Sequence, residues 1–175
     1  MLHFLHEHQL VQHPDSYECA LYDWLMLLGM QTGQRKSEWC QDATEFRKQN
    51  SFSRSIKQTS LAFIREDFLL SYKSTPHEST SQPPHRPNYL QITWRFQKNG
   101  QNRQSVSFAH NYKHPHLSPV RAAERILTRA TRLSQPAHSP LAVYAPTLKN
   151  LPPASVYIFH SQVEKSLRTI AKKVF

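Results

Sequence analysis

The most regular apolar pattern of the chain lies between residues 16 and 30, where Ala20, Leu21, Trp24, Leu25, Leu27 and Leu28 share one wide helical face. The spacing predicts a core helix. Ser16, or Asp15 before it, can cap the first turn, and Thr32-Gly33 supplies a stop. A shorter helix then starts near Gln34, with Arg35 in its first turn and Glu38 one turn along the same face. From Leu61 to Tyr72, LAFIREDFLLSY breaks short apolar runs with charge, which suits one or two strands. Residues 74–88 hold four prolines among small polar residues and predict a mobile loop inside a single domain. Two alternating runs follow, Tyr89 to Gln97 and Arg103 to Phe108, and Asn99-Gly100 between them is a strong hairpin signal.

Helix returns at Ser118, a good N-cap followed by Pro119 at the first helical position. Val120, Ala123, Leu127 and Ala130 recur on one face, while Arg121, Arg125, Arg129 and Arg132 recur on another and are expected to point outward. Such a stripe is either a solvated surface or a row of phosphate contacts. Leu141 to Ala145 reads as a short buried segment. A last helix carries a capping box, Ser161 with Glu164, and apolar Val163, Leu167, Ile170, Ala171 and Val174. No internal repeat is present. The elements sum to an α+β chain, mostly helical, with a small antiparallel three-stranded sheet.

Charge narrows the choice of partners. The 175 residues contain 22 Lys and Arg against 12 Asp and Glu, a formal +10 before any contribution from 11 histidines. A polyanion is the first partner to consider. No stretch approaches the ~20 apolar residues of a membrane span, and LHFLHEHQLVQH after Met1 lacks the basic and apolar regions of a signal peptide. Cys19 and Cys40 make neither a disulfide framework nor a four-cysteine zinc site. An intracellular protein is expected.

The segment Thr32-Gly33-Gln34-Arg35-Lys36-Ser37-Glu38, after a core helix and before a small sheet with a lysine-bearing hairpin and further helices, resembles the catalytic domain of the tyrosine recombinases, the phage-integrase-like family. Trp39 and the SPVRAAERIL helix look most like the transposon-borne eukaryotic branch, which implies a nuclear location. The resemblance spans about residues 16–175. It implies a partial DNA breaking-rejoining domain, with duplex DNA and other recombinase protomers as partners and no cofactor, metal, membrane or small-molecule substrate. In that family a tyrosine attacks a phosphodiester. The protein must neutralise the phosphorane and protonate the leaving 5′ oxygen. By resemblance Arg35 serves the first task, its planar fork suited to two nonbridging oxygens, and Glu38 orients it. Lys98, just before Asn99-Gly100, matches the hairpin lysine that acts as general acid. Arg103, past the same turn, is the second candidate. Arg103, Arg121, Arg125, Arg129 and Arg132 are the expected DNA contacts.

The chain also departs from the family. None of its eleven histidines is followed by arginine at the third position, so the His-x-x-Arg box is missing. None of its seven tyrosines, Tyr144 and Tyr157 included, matches the nucleophile beyond that box. The expectation is the front half of a catalytic domain, inactive alone. A non-catalytic basic DNA-binding module, or remnant of a mobile element, is the alternative. A third possibility is a metal-linked interaction protein, suggested by His3, His6, His8 and by His110, His114, His116.

Overall fold

The computed structural model describes residues 13–29, 62–72, 86–95, 103–146 and 155–174. The predicted stop at Gly33, the helix near Gln34, most of the 74–88 loop and the Asn99-Gly100 turn lie outside the described residues.

Ser16 opens the first helix, as its type predicts. With extended backbone, its hydroxyl accepts the Cys19 N–H at 3.3 Å, and α1 runs Tyr17–Trp24. The expected single helix to residue 30 instead changes to a wider π-helical turn at Leu25–Gly29. Such turns insert one extra residue into the helical ladder and shift the helical phase of the residues beyond it. Tyr22, Asp23 and Trp24 just before that stretch and Met26 and Leu27 within it are buried, while Leu25 is only half-buried.

A 3-10 turn, Arg65–Asp67, leads into β1 (Phe68–Ser71), which pairs antiparallel with β2 (Tyr89–Thr93), which pairs in turn with β3 (Ser105–Ala109). Register sorts the faces. Phe68, Ile92 and Val106 are aligned across the sheet, as are Leu70, Leu90 and Phe108, and these six join the core. The other face carries Leu69, Gln91 and Ser107 in one row. Asp67 fixes the entry to β1: it accepts the Ile64 N–H at 2.8 Å, and Arg95 Nε sits 2.8 and 2.9 Å from its two oxygens.

The second helix, α2 (Pro119–Arg132), packs on α1, on the π turn and on all three strands. Its Val120, Ala122, Ala123, Ile126 and Ala130 are sealed in the core. It closes with Ser134 in the left-handed region (φ 53°), the Gln135 N–H reaching Ala130 O at 2.9 Å. The expected buried segment is present: Leu141, Ala142, Val143 and Ala145 are all buried. Within it β4 (Val143–Tyr144) pairs antiparallel with β5 (Val156–Tyr157), a second sheet that the sequence pattern does not announce. The last helix, α3 (His160–Val174), buries Val163 and Ile170 and half-buries Leu167. Its cap differs from expectation. Gln162 Oε1, not Glu164, reaches back to accept the Phe159 N–H at 2.9 Å, and Ser161 is an exposed residue inside the helix.

Candidate nucleic-acid interface

The arginines of α2 form the outward stripe that their spacing predicts only in part: Arg132 is exposed, Arg121 and Arg125 are half-buried and Arg129 is buried. Asp23, in the last turn of α1, is fully buried and accepts from Arg125 Nε and from Arg129 Nη2, each at 2.6 Å. Arg129 is 2 % exposed, and its Nε and Nη2 also reach Pro14 O at 3.1 and 2.8 Å. Burial at that level removes it from any phosphate. Arg132 holds Asp15 at 2.5 and 3.1 Å, and Arg121 holds Glu124 at 2.8 Å. The physical cause is Coulombic: the low dielectric of the α1–α2 seam makes an unpaired charge very costly, so the carboxylates of one helix meet the guanidinium groups of the other. Sequence spacing located the arginines on one face. It did not identify their partners, because Asp23 and Arg129 are 106 residues apart along the chain.

Asp15 works at two levels. Its carboxylate takes Arg132 while its carbonyl accepts the Ala145 N–H at 2.8 Å, so the turn before α1 is stitched to both α2 and β4.

Arg35, Glu38 and Lys98 lie outside the described residues, as does the turn that carries Lys98. The base of that hairpin is described. Thr93 pairs with Ser105 in register, their hydroxyls 2.9 Å apart on the exposed face. One step further out, the Trp94 N–H reaches Gln104 O at 2.8 Å, and the Arg103 N–H reaches Trp94 O. Arg103 adopts φ 65° and is exposed.

The opposite end of β3 holds a feature that motif reading missed. His110 is buried, with Nδ1 2.7 Å from the Ser118 hydroxyl, and the ring of Tyr112 stands edge-on to it at 4.6 Å. Ser118 is therefore the residue before α2 without capping it through its side chain, contrary to its expected role. Burial, and next the charge of Arg121, push the His110 pKa below its ordinary value; Glu124 acts in the other direction. The rings of His114 and His116 meet edge-on with centroids 5.9 Å apart. Among the described residues, no three His, Cys, Asp or Glu side chains gather as a metal site.

Exposed positive charge among the described residues also lies on α3. The outer side of α3 lines a shallow open groove with Lys165, Arg168 and Lys172, beside Glu164, which pairs with Arg168 at 2.6 Å. No described helix is long and apolar enough to cross a membrane. No family model, curated protein or solved structure matches the chain.

Proposed function

We propose that this chain binds duplex DNA as part of a strand-transfer domain of the tyrosine-recombinase kind. In this reading it supplies the cationic side of phosphoryl chemistry and not the nucleophile. The observation that carries the reading is the β2–β3 hairpin. The paired strands put the Lys98-Asn99-Gly100 segment in the connection between Trp94 and Gln104, downstream of a core helix and the Thr32–Glu38 box. That order of parts resembles the one in the tyrosine-recombinase catalytic domain, whose chemistry uses a bidentate arginine for the developing phosphorane and a proton donor from the strand connection for the leaving oxygen.

In this reading Arg35 binds the nonbridging oxygens, Glu38 orients it and Lys98 protonates the 5′ oxygen. The α2 arginines hold the scaffold, and contacts to the DNA backbone fall to cations outside that seam. A tyrosine in the family's position is not among the seven in this chain, so attack on phosphorus requires a nucleophile from another polypeptide segment.

A nicked suicide duplex tests this. The chain should retard the duplex in a native gel and leave no band that survives denaturing electrophoresis. Failure to retard the duplex would remove the proposal. A covalent adduct mapped to Tyr144 or Tyr157 would show that the site has been placed wrongly.

A further inference from the structure

We infer that the outer side of α3 is a docking surface for the sugar-phosphate backbone of duplex DNA, held by Lys165 and Lys172; this rests on the duplex-binding reading above and adds a contact that the family resemblance does not supply. Lys165, Arg168 and Lys172 recur at helical spacing, all exposed, and with Ser161, Glu164 and Thr169 they line an open groove of about 380 Å³. Two of the three cations are uncommitted. Arg168 gives Nη2 to Glu164 at 2.6 Å, whereas Lys165 and Lys172 hold no carboxylate among the described residues. On α2, by contrast, Arg121, Arg125, Arg129 and Arg132 each meet one. The Thr169 hydroxyl is turned to Lys165 O at 2.9 Å, which leaves the two ammonium groups as the strongest donors facing the groove.

The inner side of the helix fixes that display. Val163 and Ile170 are buried, Leu167 packs against the core, Ser166 Oγ lies 3.1 Å from the Tyr17 hydroxyl and Gln162 Nε2 donates to the Tyr144 hydroxyl at 3.2 Å. The helix cannot roll without giving up those contacts. Lys165 and Lys172 are two turns apart, a rise of about 10.5 Å. One DNA strand carries a phosphate about every 3.4 Å along its axis, so the pair spans about three. The lining also selects the kind of polyanion. It includes no apolar or aromatic side chain, whereas a protein partner is held chiefly by such anchors. A membrane-surface helix would sink an apolar face that α3 has already committed to the core. Cations and a hydroxyl without an apolar anchor suit a backbone contact that reads no sequence.

The test titrates two unrelated duplex sequences at several salt concentrations with the parent chain, with Lys165→Gln/Lys172→Gln, with Lys165→Arg/Lys172→Arg and with Arg86→Gln/Lys113→Gln, which removes equal charge from exposed positions beside the sheet. The first double variant should bind both duplexes more weakly, with the slope of log affinity against log salt shallower by about 1.8, the value of two lost phosphate contacts. Its Tm should stay within about 2 °C of the parent's, because the substitutions are exposed and glutamine suits a helix. The arginine variant and the sheet-side variant should keep the parent slope. An unchanged slope in Lys165→Gln/Lys172→Gln overturns the inference alone, and so does an equal loss in the sheet-side variant, which would make net charge the cause. A loss confined to one of the two sequences, a lost slope in the arginine variant, or displacement of the duplex by a polyglutamate peptide at equal charge concentration would also overturn it, the last by assigning the surface to an acidic protein. Absence of duplex binding by the parent chain overturns both this inference and the reading beneath it.

Discussion

Asp23 is sealed between Arg125 and Arg129, so removing its carboxylate leaves Arg125 without its ion pair and the buried Arg129 with only Asp15, 3.8 Å from its Nε, as counter-charge. Breaking a buried pair from one side costs about 3–5 kcal/mol. Asp23→Ala should therefore lower the unfolding free energy by that order in a urea melt, whereas Glu164→Ala, which removes the exposed partner of Arg168, should cost less than about 0.5 kcal/mol. Equal losses in the two variants would contradict the burial account. His110 makes a second residue-scale prediction. Its folded pKa is lowered, mainly by burial, so the folded state favours the neutral ring that meets the Ser118 hydroxyl. Its contribution is complete above the unfolded pKa of about 6.5 and is lost as pH falls from there through the lowered folded value. The urea midpoint should thus decline more steeply below about pH 6.5 in the parent chain than in His110→Asn; parallel curves would contradict it. Neither pairing was legible in the sequence. Residue spacing reports which side chains share a helix face, but Asp23 with Arg129 and Asp15 with Arg132 are contacts between distant segments.

At the scale of elements, the sequence pattern located α1, α2, α3 and all three strands of the main sheet, because each keeps a single periodicity over several residues. It missed the π turn at Leu25–Gly29, since one extra residue per turn leaves the apolar count unchanged. It also missed β4 and β5, which at two residues each are too short to show alternation. The α3 start was displaced for a local reason: two side chains there could cap, and Gln162 takes the Phe159 N–H while Ser161 faces solvent. Gln162→Ala should accordingly destabilise by about 0.5–2 kcal/mol and Ser161→Ala by less. The opposite order in a thermal melt would restore the capping box read from sequence. Trp24 is the anchor of the α1 contact with the sheet side of the core, its ring 6.3 Å from Phe63 and 6.2 Å from Phe68. With no exposure at all, Trp24→Ala should cost about 3–5 kcal/mol in unfolding free energy. A loss below about 1 kcal/mol would mean that the site collapses around the cavity.

For the molecule as a whole, the distribution of charge matters more than its sum. The formal +10 remains, but the α2 arginines pair with Asp15, Asp23 and Glu124, while the outer side of α3 presents Lys165 and Lys172. The candidate site itself was legible only as a motif, Thr32 to Glu38 followed by Lys98, because a box of residue types states the chemistry without stating its surroundings. The central claim is that this chemistry is directed at DNA phosphates through Arg35. Equilibrium binding of a mixed-sequence duplex over a range of salt, for the parent chain and for Arg35→Ala, addresses it most directly. The account predicts that log affinity falls linearly with log salt, and that Arg35→Ala binds more weakly with a slope shallower by about one phosphate contact. Affinity independent of salt, or identical curves for the two proteins, would contradict it.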